Sequence, residues 1–422
     1  MEKKLFTPAV SCADSHDSAA LPIARALQLI TQALKPVCGW ENIAIRRALD
    51  RVLAQEVISP REVPAHTNAA MDGYALQSQD LPQSEPRMLK IVGTALAGQS
   101  YENELRAGEC VRVMTGAVIP AGADTIVMQE QVERSTDHIQ VFPGQKPGQN
   151  VRQAGEDIAL GQQVLKPGRR LTPADIGLLA SLGFVEVKVW RRLRVAFFST
   201  GDELRSIGEP LAPGQIYDSN RYTLYAMLQR LNIDMIDMGV VPDQPEALQE
   251  TLTTAADNAD VIISSGGVSV GEADYVKEAL ESLGQIHFWK IAIKPGRPLA
   301  FGHIKEAVFF GLPGNPVSVM VTFYQCVQPA LLQLMGESPS TPLTLKVPCH
   351  SRFRKKPGRT EYQRGILERN EQGQLGVKTT GRQGSGLLTS MSAANCFIIL
   401  PSESGDIEPG TWVEVQPFAH LV

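Results

Sequence analysis

Apolar residues recur every three or four positions from 23 to 34, which predicts an amphipathic helix that Pro36 ends. A second helix is predicted over residues 171–183, where Thr172 supplies a cap and Gly183 a stop. Residues 1–19 are polar and without periodicity, so a disordered leader is expected there.

Between residues 59 and 160 the pattern consists of short runs of β-type residues, such as 89–92 and 111–114. Turn signals such as Pro143-Gly144 separate these runs. The segment is therefore expected to be mostly β-structure with functional loops.

Residues 192–336 alternate between strand-like and helical patterns. The predicted strands cover 195–199, 234–241, 261–264, 288–293 and 308–311, and the predicted helices lie near 219–231, 244–257, 273–283 and 315–335. Such alternation predicts a doubly wound α/β domain, with a parallel sheet covered by helices on both faces.

After a Ser/Pro/Thr-rich segment at 338–342, the chain returns to short strands in which apolar and polar residues alternate. Val413 and Val415 fall on one face of such a strand, and Trp412 and Glu414 on the other. Residues 342–422 are therefore predicted to form a small β-barrel or sandwich.

Composition narrows the classes of function. The chain is 43% apolar and 20% charged, which excludes disorder over most of its length. Its 40 basic and 45 acidic residues give a formal charge of −5, with no basic run that would bind nucleic acid irrespective of sequence. Its six cysteines are scattered, which favours reduced thiols over disulfides or structural zinc. No apolar run approaches the ~20 residues of a membrane span, and a cytoplasmic protein is expected.

Polar and glycine-rich loops follow four of the predicted strands. These loops are 199–203, 264–274, 294–298 and 312–316. Ligands of open α/β sheets bind beyond the carboxyl ends of the strands. The four loops are therefore expected to converge on one site.

The loop that begins Ser264-Ser265-Gly266-Gly267 leads into a predicted helix. Glycines let the backbone approach an anion, and free amides at a helix start favour negative charge. A plain strand-to-helix turn explains the glycines equally well, but Lys294 and Arg297 nearby favour phosphate binding. The chain lacks the P-loop and dinucleotide-binding glycine motifs.

Glu203, Asp243 and Asp274 would flank such an anion, and carboxylates beside a phosphate usually hold a divalent cation. Asp243 has an equally good explanation as a helix cap. Lys290 and Lys294, four residues apart on one predicted strand, would share a face and favour anion binding.

Further motifs precede the α/β region and extend the pattern. In order, the motifs are MDGYA (71–75), MTGA (114–117), GEDI (155–158), STGDEL (199–204), SSGGVSVG (264–271) and LPGNP (312–316). Together they closely resemble the MoeA family, whose eukaryotic relative is the gephyrin E domain, over roughly residues 20–420.

The resemblance implies a homodimer of four-domain protomers. The expected domains are an α/β molybdopterin-binding domain (20–39 and 192–338), a linking domain (40–58 and 160–191), a β-rich domain (59–159) and a C-terminal β-barrel domain (342–422). It also implies insertion of molybdate into the dithiolene of adenylylated molybdopterin, with Mg²⁺-dependent hydrolysis that releases AMP. Contacts with the molybdopterin adenylyltransferase and with downstream cofactor carriers are expected too, with no nucleic-acid or membrane partner.

Carried over by motif, the resemblance also assigns site residues. The catalytic residues would be Asp72, Asp157, Asp243, Lys290 and Lys294. The substrate-binding residues would be Thr115, Arg152, Ser265, Gly266, Gly267, Val268, Ser269, Pro313, Gly314, Asn315 and Ser385. The metal ligands would be Glu203 and Asp274. In the family the cleft forms between two subunits, which would bring Asp72, Thr115, Arg152 and Asp157 to the sheet edge.

The chain departs from the family at 66–70, which is His-Thr-Asn-Ala-Ala where relatives usually have Phe-Asp-Asn-Ser before Met71. A carboxylate and a hydroxyl are thus missing near Thr67 and Ala69.

Two alternatives remain beside the insertase. One is a pterin or nucleotide-phosphate hydrolase that uses only the α/β domain, and the other is a non-catalytic, gephyrin-like scaffold.

Overall fold

The computed structural model describes residues 20–267 and 275–418. The chain divides into two compact units. Unit I comprises the described residues within Met1–Glu41, Asp50–Ala54 and Val189–Val422, and unit II comprises Asn42–Leu49 and Gln55–Lys188. The predicted leader, 1–19, lies outside the described residues, and the finer division into four domains stays a prediction.

The helices of the described residues follow one another along the chain. They are α1 (Ile23–Ala33), α2 (Pro173–Ser181), α3 (Ser219–Arg230), α4 (Pro245–Asn258), α5 (Tyr275–Leu283), α6 (Pro316–Thr322), α7 (Gln328–Leu334) and α8 (Leu388–Ser392). A π-helical turn, Phe323–Val327, joins α6 to α7. Short 3-10 turns occur at Ile45–Arg47, Ser78–Asp80 and Gln129–Gln131.

The first twelve strands precede residue 191. They are β1 (Trp40–Ala44), β2 (Val57–Ile58), β3 (Asn68–Ala69), β4 (Gly73–Leu76), β5 (Arg87–Ala95), β6 (Glu109–Val113), β7 (Thr125–Met128), β8 (Val132–Arg134), β9 (His138–Val141), β10 (Val151–Arg152), β11 (Gln163–Leu165) and β12 (Glu186–Trp190).

The remaining strands belong to unit I. They are β13 (Arg194–Thr200), β14 (Leu204–Arg205), β15 (Ile216–Tyr217), β16 (Asp234–Val241), β17 (Val261–Ser265), β18 (Gly284–Lys290), β19 (Ile293–Lys294), β20 (Pro298–Ile304), β21 (Ala307–Leu312), β22 (Leu345–Pro348), β23 (Thr360–Arg369), β24 (Leu375–Thr379), β25 (Cys396–Leu400) and β26 (Trp412–Pro417).

The central sheet of unit I has the strand order β16-β13-β17-β21-β20-β18. Strands β16, β13, β17 and β21 are parallel, and β20 is antiparallel to both of its neighbours. The predicted α/β architecture is confirmed, but the sheet is mixed. Sequence patterning missed β20, because its residues directly follow a Pro/Gly loop that hid the start of the strand.

Both faces of this sheet are covered by helices. Along β13, Val195 and Phe197 pack in one core with α3 and α6, whereas Ala196 and Phe198 pack in a second core with α4 and α5. Successive strand residues point to opposite faces, so a strand that is buried on both sides is apolar throughout.

The predicted strand over residues 288–293 is wrong, because the chain divides there into β18 and β19. Leu21 forms a bridge with Ile291 between the two strands, and it exchanges backbone hydrogen bonds with Lys290 and Ala292. β19 then leaves the central sheet and pairs with β23. Lys290 and Lys294 therefore do not share the face of one strand.

The C-terminal strands form a sheet in the order β19-β23-β25-β26-β22, with β24 paired to β23. A parallel bridge between Cys349, just after β22, and Val377 in β24 brings the two edges of this sheet together. Val413 and Val415 are buried in its core, whereas Trp412 is exposed, as the alternation predicts. The predicted small barrel is confirmed.

Unit II is built on a six-stranded sheet in the order β7-β4-β6-β5-β9-β8. Its strand β4 is buried along its whole length, with one hydrophobic cluster on each face. Helix α2 begins with the predicted capping box, in which Thr172 and Asp175 satisfy each other's backbone amides. The β-rich character of this part of the chain is confirmed.

The described cysteines are free thiols, four of them buried and Cys38 exposed. Within the described ranges, one helical stretch, Pro316–Leu334, is long and apolar enough to cross a membrane by length and composition alone. Most of this stretch is buried in the protein, and Val319, Phe323 and Leu331 on it belong to the core of unit I.

Candidate functional site

A cavity of about 920 Å³ lies at the carboxyl ends of β13, β17 and β21 in unit I. All four predicted loops contribute to its wall. The rest of the wall comes from residues 216–220 and 383–386, and from Arg359, Gln363 and Arg364. Pockets that bind small molecules are typically of this size.

Most of the predicted unit I site residues line this cavity. They are Glu203, Asp243, Ser265, Gly266, Gly267, Lys294, Pro313, Gly314, Asn315 and Ser385. Val268, Ser269 and Asp274 lie outside the described residues. Lys290 is half-buried at the end of β18 and is not among the described residues that line the cavity.

The loop after β17 requires both of its glycines. Gly266 has a φ of +91°, and a Cβ there would lie 2.3 Å from the carbonyl oxygen of Thr200. Gly267 has a φ of +66°, and its Cβ would lie 2.4 Å from Val276 Cγ2. Only glycine suits both the conformation and the space. A plain turn and an anion-binding loop would both need this backbone conformation. Gly266 and Gly267 line the cavity.

A side-chain amide joins this loop to the LPGNP loop. Asn220 Nδ2 donates to Ser265 Oγ at 3.0 Å and to the carbonyl oxygen of Gly314 at 2.8 Å. Asn220 was not predicted as a site residue. The signal available was the Asp-Ser-Asn sequence at the start of a predicted helix, because Asp218 caps α3 by accepting from the Arg221 amide.

Cationic side chains line the side of the cavity formed by the barrel strands. Lys294 Nζ lies 3.1 Å from Oε1 of Glu361, which is buried. Gln363 Nε2 donates to the other oxygen of the same carboxylate. Lys294, which was predicted as a catalytic residue, is thus paired with a buried acid.

Arg364 is fully buried and lines the cavity. Its guanidinium donates to Ser390 Oγ and to the carbonyl oxygen of Gly384, both at 3.1 Å, and both acceptors are neutral. Burial lowers the pKa of Arg364 to about 10, so the group remains cationic at neutral pH. A buried cation with neutral partners is well suited to an anionic ligand. No local sequence pattern identified Arg364.

Asp243 lies on the acidic side of the cavity, half-buried near Thr200. Thr200 Oγ1 is 3.5 Å from its carboxylate. Burial and the negative charge of Asp202 raise the pKa of Asp243, and the charge of Glu203 adds to the effect. Clustered carboxylates of this kind favour a bound cation. Within the described ranges, no three metal-ligating side chains gather closely enough to hold a metal ion by themselves.

The predicted residues of unit II form a second group. Asp72 Oδ1 accepts hydrogen bonds from the backbone amide and the hydroxyl of Thr115, each at 2.7 Å. These bonds, the backbone bond first, lower the pKa of Asp72, with help from the charge of Arg112. Asp72 therefore stays ionised to a lower pH than an ordinary aspartate.

Arg152 and Asp157 lie on exposed segments of unit II. Arg152 pairs in register with Asn68, four residues before Asp72, and its guanidinium lies 3.9 Å from Glu156. The structure thus places Arg152 on a strand that pairs with the segment leading to Asp72. The Asp157 amide donates to the carbonyl oxygen of Val63.

Comparison with known proteins extends along nearly the whole chain. Residues 21–183 match the MoeA N-terminal region (domain I and II), 196–333 a probable molybdopterin-binding domain, and 346–418 the MoeA C-terminal region (domain IV). Among curated proteins, molybdopterin molybdenumtransferase of Haemophilus influenzae is 46% identical over 90% of this chain and 95% of its own length. The Nostoc enzyme of the same name is 39% identical over 86% and 85%.

Solved structures agree with the sequence comparison. A crystal structure of the molybdopterin biosynthesis MoeA protein from Pyrococcus horikoshii matches with a TM-score of 0.83 and 30% identity, over 94% of this chain and all of that one. Gephyrin from Dictyostelium discoideum is 34% identical over 93% of this chain and 61% of its own length. The chain therefore belongs to the MoeA family, the molybdopterin molybdenumtransferases, which are enzymes of molybdenum cofactor biosynthesis.

Proposed function

We propose that the protein inserts molybdate into the dithiolene of adenylylated molybdopterin and hydrolyses the adenylate link, releasing AMP. The observation that carries the proposal is the unit I cavity. Its wall combines a glycine loop, Gly266-Gly267, with the cations Arg364 and Lys294 and with the acidic pair Glu203 and Asp243. Such a wall suits a ligand that carries phosphates.

The atoms of this reaction balance without a redox partner. Two sulfur–molybdenum bonds form, and the two thiol protons leave with one molybdate oxygen as water. In the hydrolysis, water adds to one phosphorus of the phosphoanhydride and the bridging P–O bond breaks, so that AMP leaves with its own phosphate and the pterin product keeps the other. Insertion therefore releases one water and hydrolysis consumes one.

In this proposal the residues of unit I divide into two roles. The backbone of 265–269 and the LPGNP loop, with Pro313, Gly314 and Asn315, hold the phosphates, and Ser385 contacts the ligand from the barrel side. Lys294 and Lys290 bind oxyanions. A cradle of backbone amides and cations stabilises the charge that develops on the phosphates as the P–O bond breaks.

A divalent cation, Mg²⁺, fits the carboxylates on the acidic side of the cavity. Hard oxygen ligands suit Mg²⁺, which keeps several waters and needs only one or two protein carboxylates beside the phosphates. We assign Glu203 and Asp274 as its ligands, and Asp243 as the neighbour that orients water. When bound, the cation supplies neutralisation of phosphate charge.

The residues of unit II are proposed to act across a homodimer. Asp72, Thr115, Arg152 and Asp157 of one subunit would complete the cavity in unit I of its partner. Asp72 and Asp157 would orient water or the leaving group, and Arg152 and Thr115 would bind substrate. We place the dimer in the cytoplasm, where it would receive its substrate from the adenylyltransferase and deliver its product to cofactor carriers.

The test is release of AMP by the purified protein from adenylylated molybdopterin with Mg²⁺. The proposal predicts release that depends on molybdate, and its absence with molybdate present would contradict the proposal. Asp157→Asn and Asp274→Asn should fold and lose this release, with Glu371→Gln, an exposed acid of the barrel, as the matched control. Full release by both variants would remove them from the site.

A further inference from the structure

Two histidines face each other at one edge of the central sheet of unit I. His287 lies on the edge strand β18, and His303 lies on its antiparallel neighbour β20. Nε2 of His287 is 3.1 Å from Nδ1 of His303, and the two ring planes are nearly perpendicular, at 86°. Both residues reach solvent, since His287 is exposed and His303 is half-buried. Two ring nitrogens therefore lie close together at the surface of the sheet edge.

A β-bulge aims His287 toward the other histidine. Ile286 pairs with Gly302 and Phe288 pairs with Phe301, so β18 carries one extra residue at this step, and His287 is that residue. Adjacent residues of a regular strand point to opposite faces. Here His287 and Phe288 both contact the buried ring of Phe301, with centroids 5.3 and 5.5 Å apart. Bulges often re-aim a side chain at functional sites, and this one fixes the histidine ring against the core.

The pair is in the protonation state that binds metal ions. Burial lowers the pKa of His303, the charge of His287 lowers it further, and the charge of Glu306 acts in the opposite direction. At most one proton can lie between the two facing nitrogens. When each neutral ring carries its proton on its other nitrogen, two lone pairs face each other. A neutral imidazole nitrogen is the commonest metal ligand in proteins.

The distance between the two nitrogens suits a shared ion. A bond from zinc to a histidine nitrogen is about 2.0–2.1 Å long. At that length, nitrogens 3.1 Å apart subtend about 100° at the ion, between a right angle and the tetrahedral angle. A turn of the rings directs both lone pairs at one point. Among the described residues no third histidine, cysteine or acid completes such a group, so water would fill the remaining positions.

We propose that His287 and His303 bind a divalent transition-metal ion of the kind that imidazole prefers, such as Zn²⁺, between their facing nitrogens. This site is separate from the carboxylates assigned to Mg²⁺. Pro298, at the start of β20, lines the cavity, whereas His303 lies near the other end of that strand. A bound ion would join the edge strand to its neighbour at the bulge, where the ladder of backbone hydrogen bonds is interrupted. The inference goes beyond the proposed function and does not depend on it.

The experiment measures Zn²⁺ binding to the purified protein by isothermal titration calorimetry, after removal of metals with a chelator and with Mg²⁺ in excess. Mg²⁺ occupies sites built from oxygen ligands and competes poorly for imidazole. We expect the wild type to bind Zn²⁺. His287→Gln and His303→Gln should each weaken this binding at least about 10–100-fold, the loss that follows removal of a mere second-shell partner of a metal ligand.

His138→Gln is the matched control, because His138 also lies on a strand and its Nδ1 is 2.8 Å from a carboxylate oxygen of Asp137. This variant should bind Zn²⁺ as tightly as the wild type. If His303→Gln does not fold, His287→Gln at its exposed position makes the same comparison. Zn²⁺ should also raise the melting temperature of the wild type and of His138→Gln more than that of either sheet-edge variant.

A wild type that binds no Zn²⁺ would show that the facing nitrogens only share an N–H···N hydrogen bond, and it would overturn the inference. Equal Zn²⁺ affinity in the wild type and in the two sheet-edge variants would place the ion elsewhere and would overturn it as well. Neither result involves release of AMP, so the inference and the proposed function can fail separately.

Discussion

Lys294 Nζ and Glu361 Oε1 form a 3.1 Å ion pair in which the carboxylate is buried and the lysine side chain is about half exposed. The two residues also pair in register, Lys294 in β19 and Glu361 in strand β23 of the barrel. A cation that is held in place by a buried acid meets an oxyanion in a fixed position, and less conformational entropy is lost on binding.

Removing the lysine should destabilise the fold through the acid that remains. In Lys294→Met the buried Glu361 loses its nearest cation, and we expect a loss of about 1–3 kcal/mol in the free energy of unfolding by urea. The control Lys305→Met breaks an exposed pair with Asp257 and should cost less than about 1 kcal/mol. Equal costs for the two variants would show that the burial of Glu361 has no energetic weight.

The glycine loop provides a second prediction, because the chain contains a matched position. Gly266 and Gly208 have nearly the same φ, +91° and +92°, but only Gly266 has backbone close to the position of a Cβ. Gly208→Ala should cost about 1 kcal/mol, from conformation alone. Gly266→Ala should cost more and should abolish binding of the phosphate-bearing ligand. Similar unfolding free energies for both variants would contradict this account of the cradle.

The raised pKa of Asp243 gives a pH dependence with a definite sign. A carboxyl group whose pKa is higher in the folded state destabilises the fold once it is ionised. Asp243→Asn should therefore raise the melting temperature at pH 7, and the gain should shrink as the pH falls through the folded pKa. The control Glu250→Gln, at an exposed position of α4, should show no such dependence.

Mg²⁺ should raise the melting temperature of the wild type more than that of Asp243→Asn, whereas the charge of Asp243 by itself favours the variant. If the carboxylates around Asp243 hold a cation, Mg²⁺ stabilises the wild type and stabilises Asp243→Asn less. Thermal denaturation with and without the ion measures this difference. Equal stabilisation of both proteins by Mg²⁺ would show that the charge of Asp243 does not contribute to binding of the cation.

The bond between Thr115 and Asp72 gives a prediction for unit II. Thr115→Val removes the hydroxyl bond but keeps the backbone amide bond, so the pKa of Asp72 should rise partway toward its ordinary value. NMR titration of the Asp72 carboxyl measures the change, with Thr94→Val on β5 as the control. Since Asp72 has a lowered pKa, its stabilising contribution is present at neutral pH and is lost as the pH falls through that pKa. A pKa that does not move would indicate that the hydroxyl bond has no effect.

The sequence predicted the parts of this site that depend on local rules. A glycine-rich strand-to-helix loop is recognisable in the sequence at Gly266 and Gly267, and parallel strands bring such loops to one edge of the sheet. The error at Lys290 and Lys294 had a non-local cause. Leu21, some 270 residues earlier, bridges Ile291 and separates the two strands. Periodicity within a window does not contain that information.

The residues that were missed have the same explanation. Arg364 and Gln363 reach the cavity from a barrel strand, through pairings that no local pattern specifies. Asn220 was hidden because a helix cap explains its neighbourhood equally well. Asp72, Thr115, Arg152 and Asp157 were predicted only from the resemblance, because spacing alone did not relate them to the sheet edge, and their role stays a prediction.

The central claim is that molybdenum insertion and adenylate hydrolysis occur together at this site. Its most direct test measures, in a single reaction with Mg²⁺, the AMP released and the molybdenum bound to the pterin product. We predict that both increase together in a one-to-one ratio and that both require molybdate. AMP release at the same rate without molybdate, or molybdenum incorporation without AMP release, would contradict it.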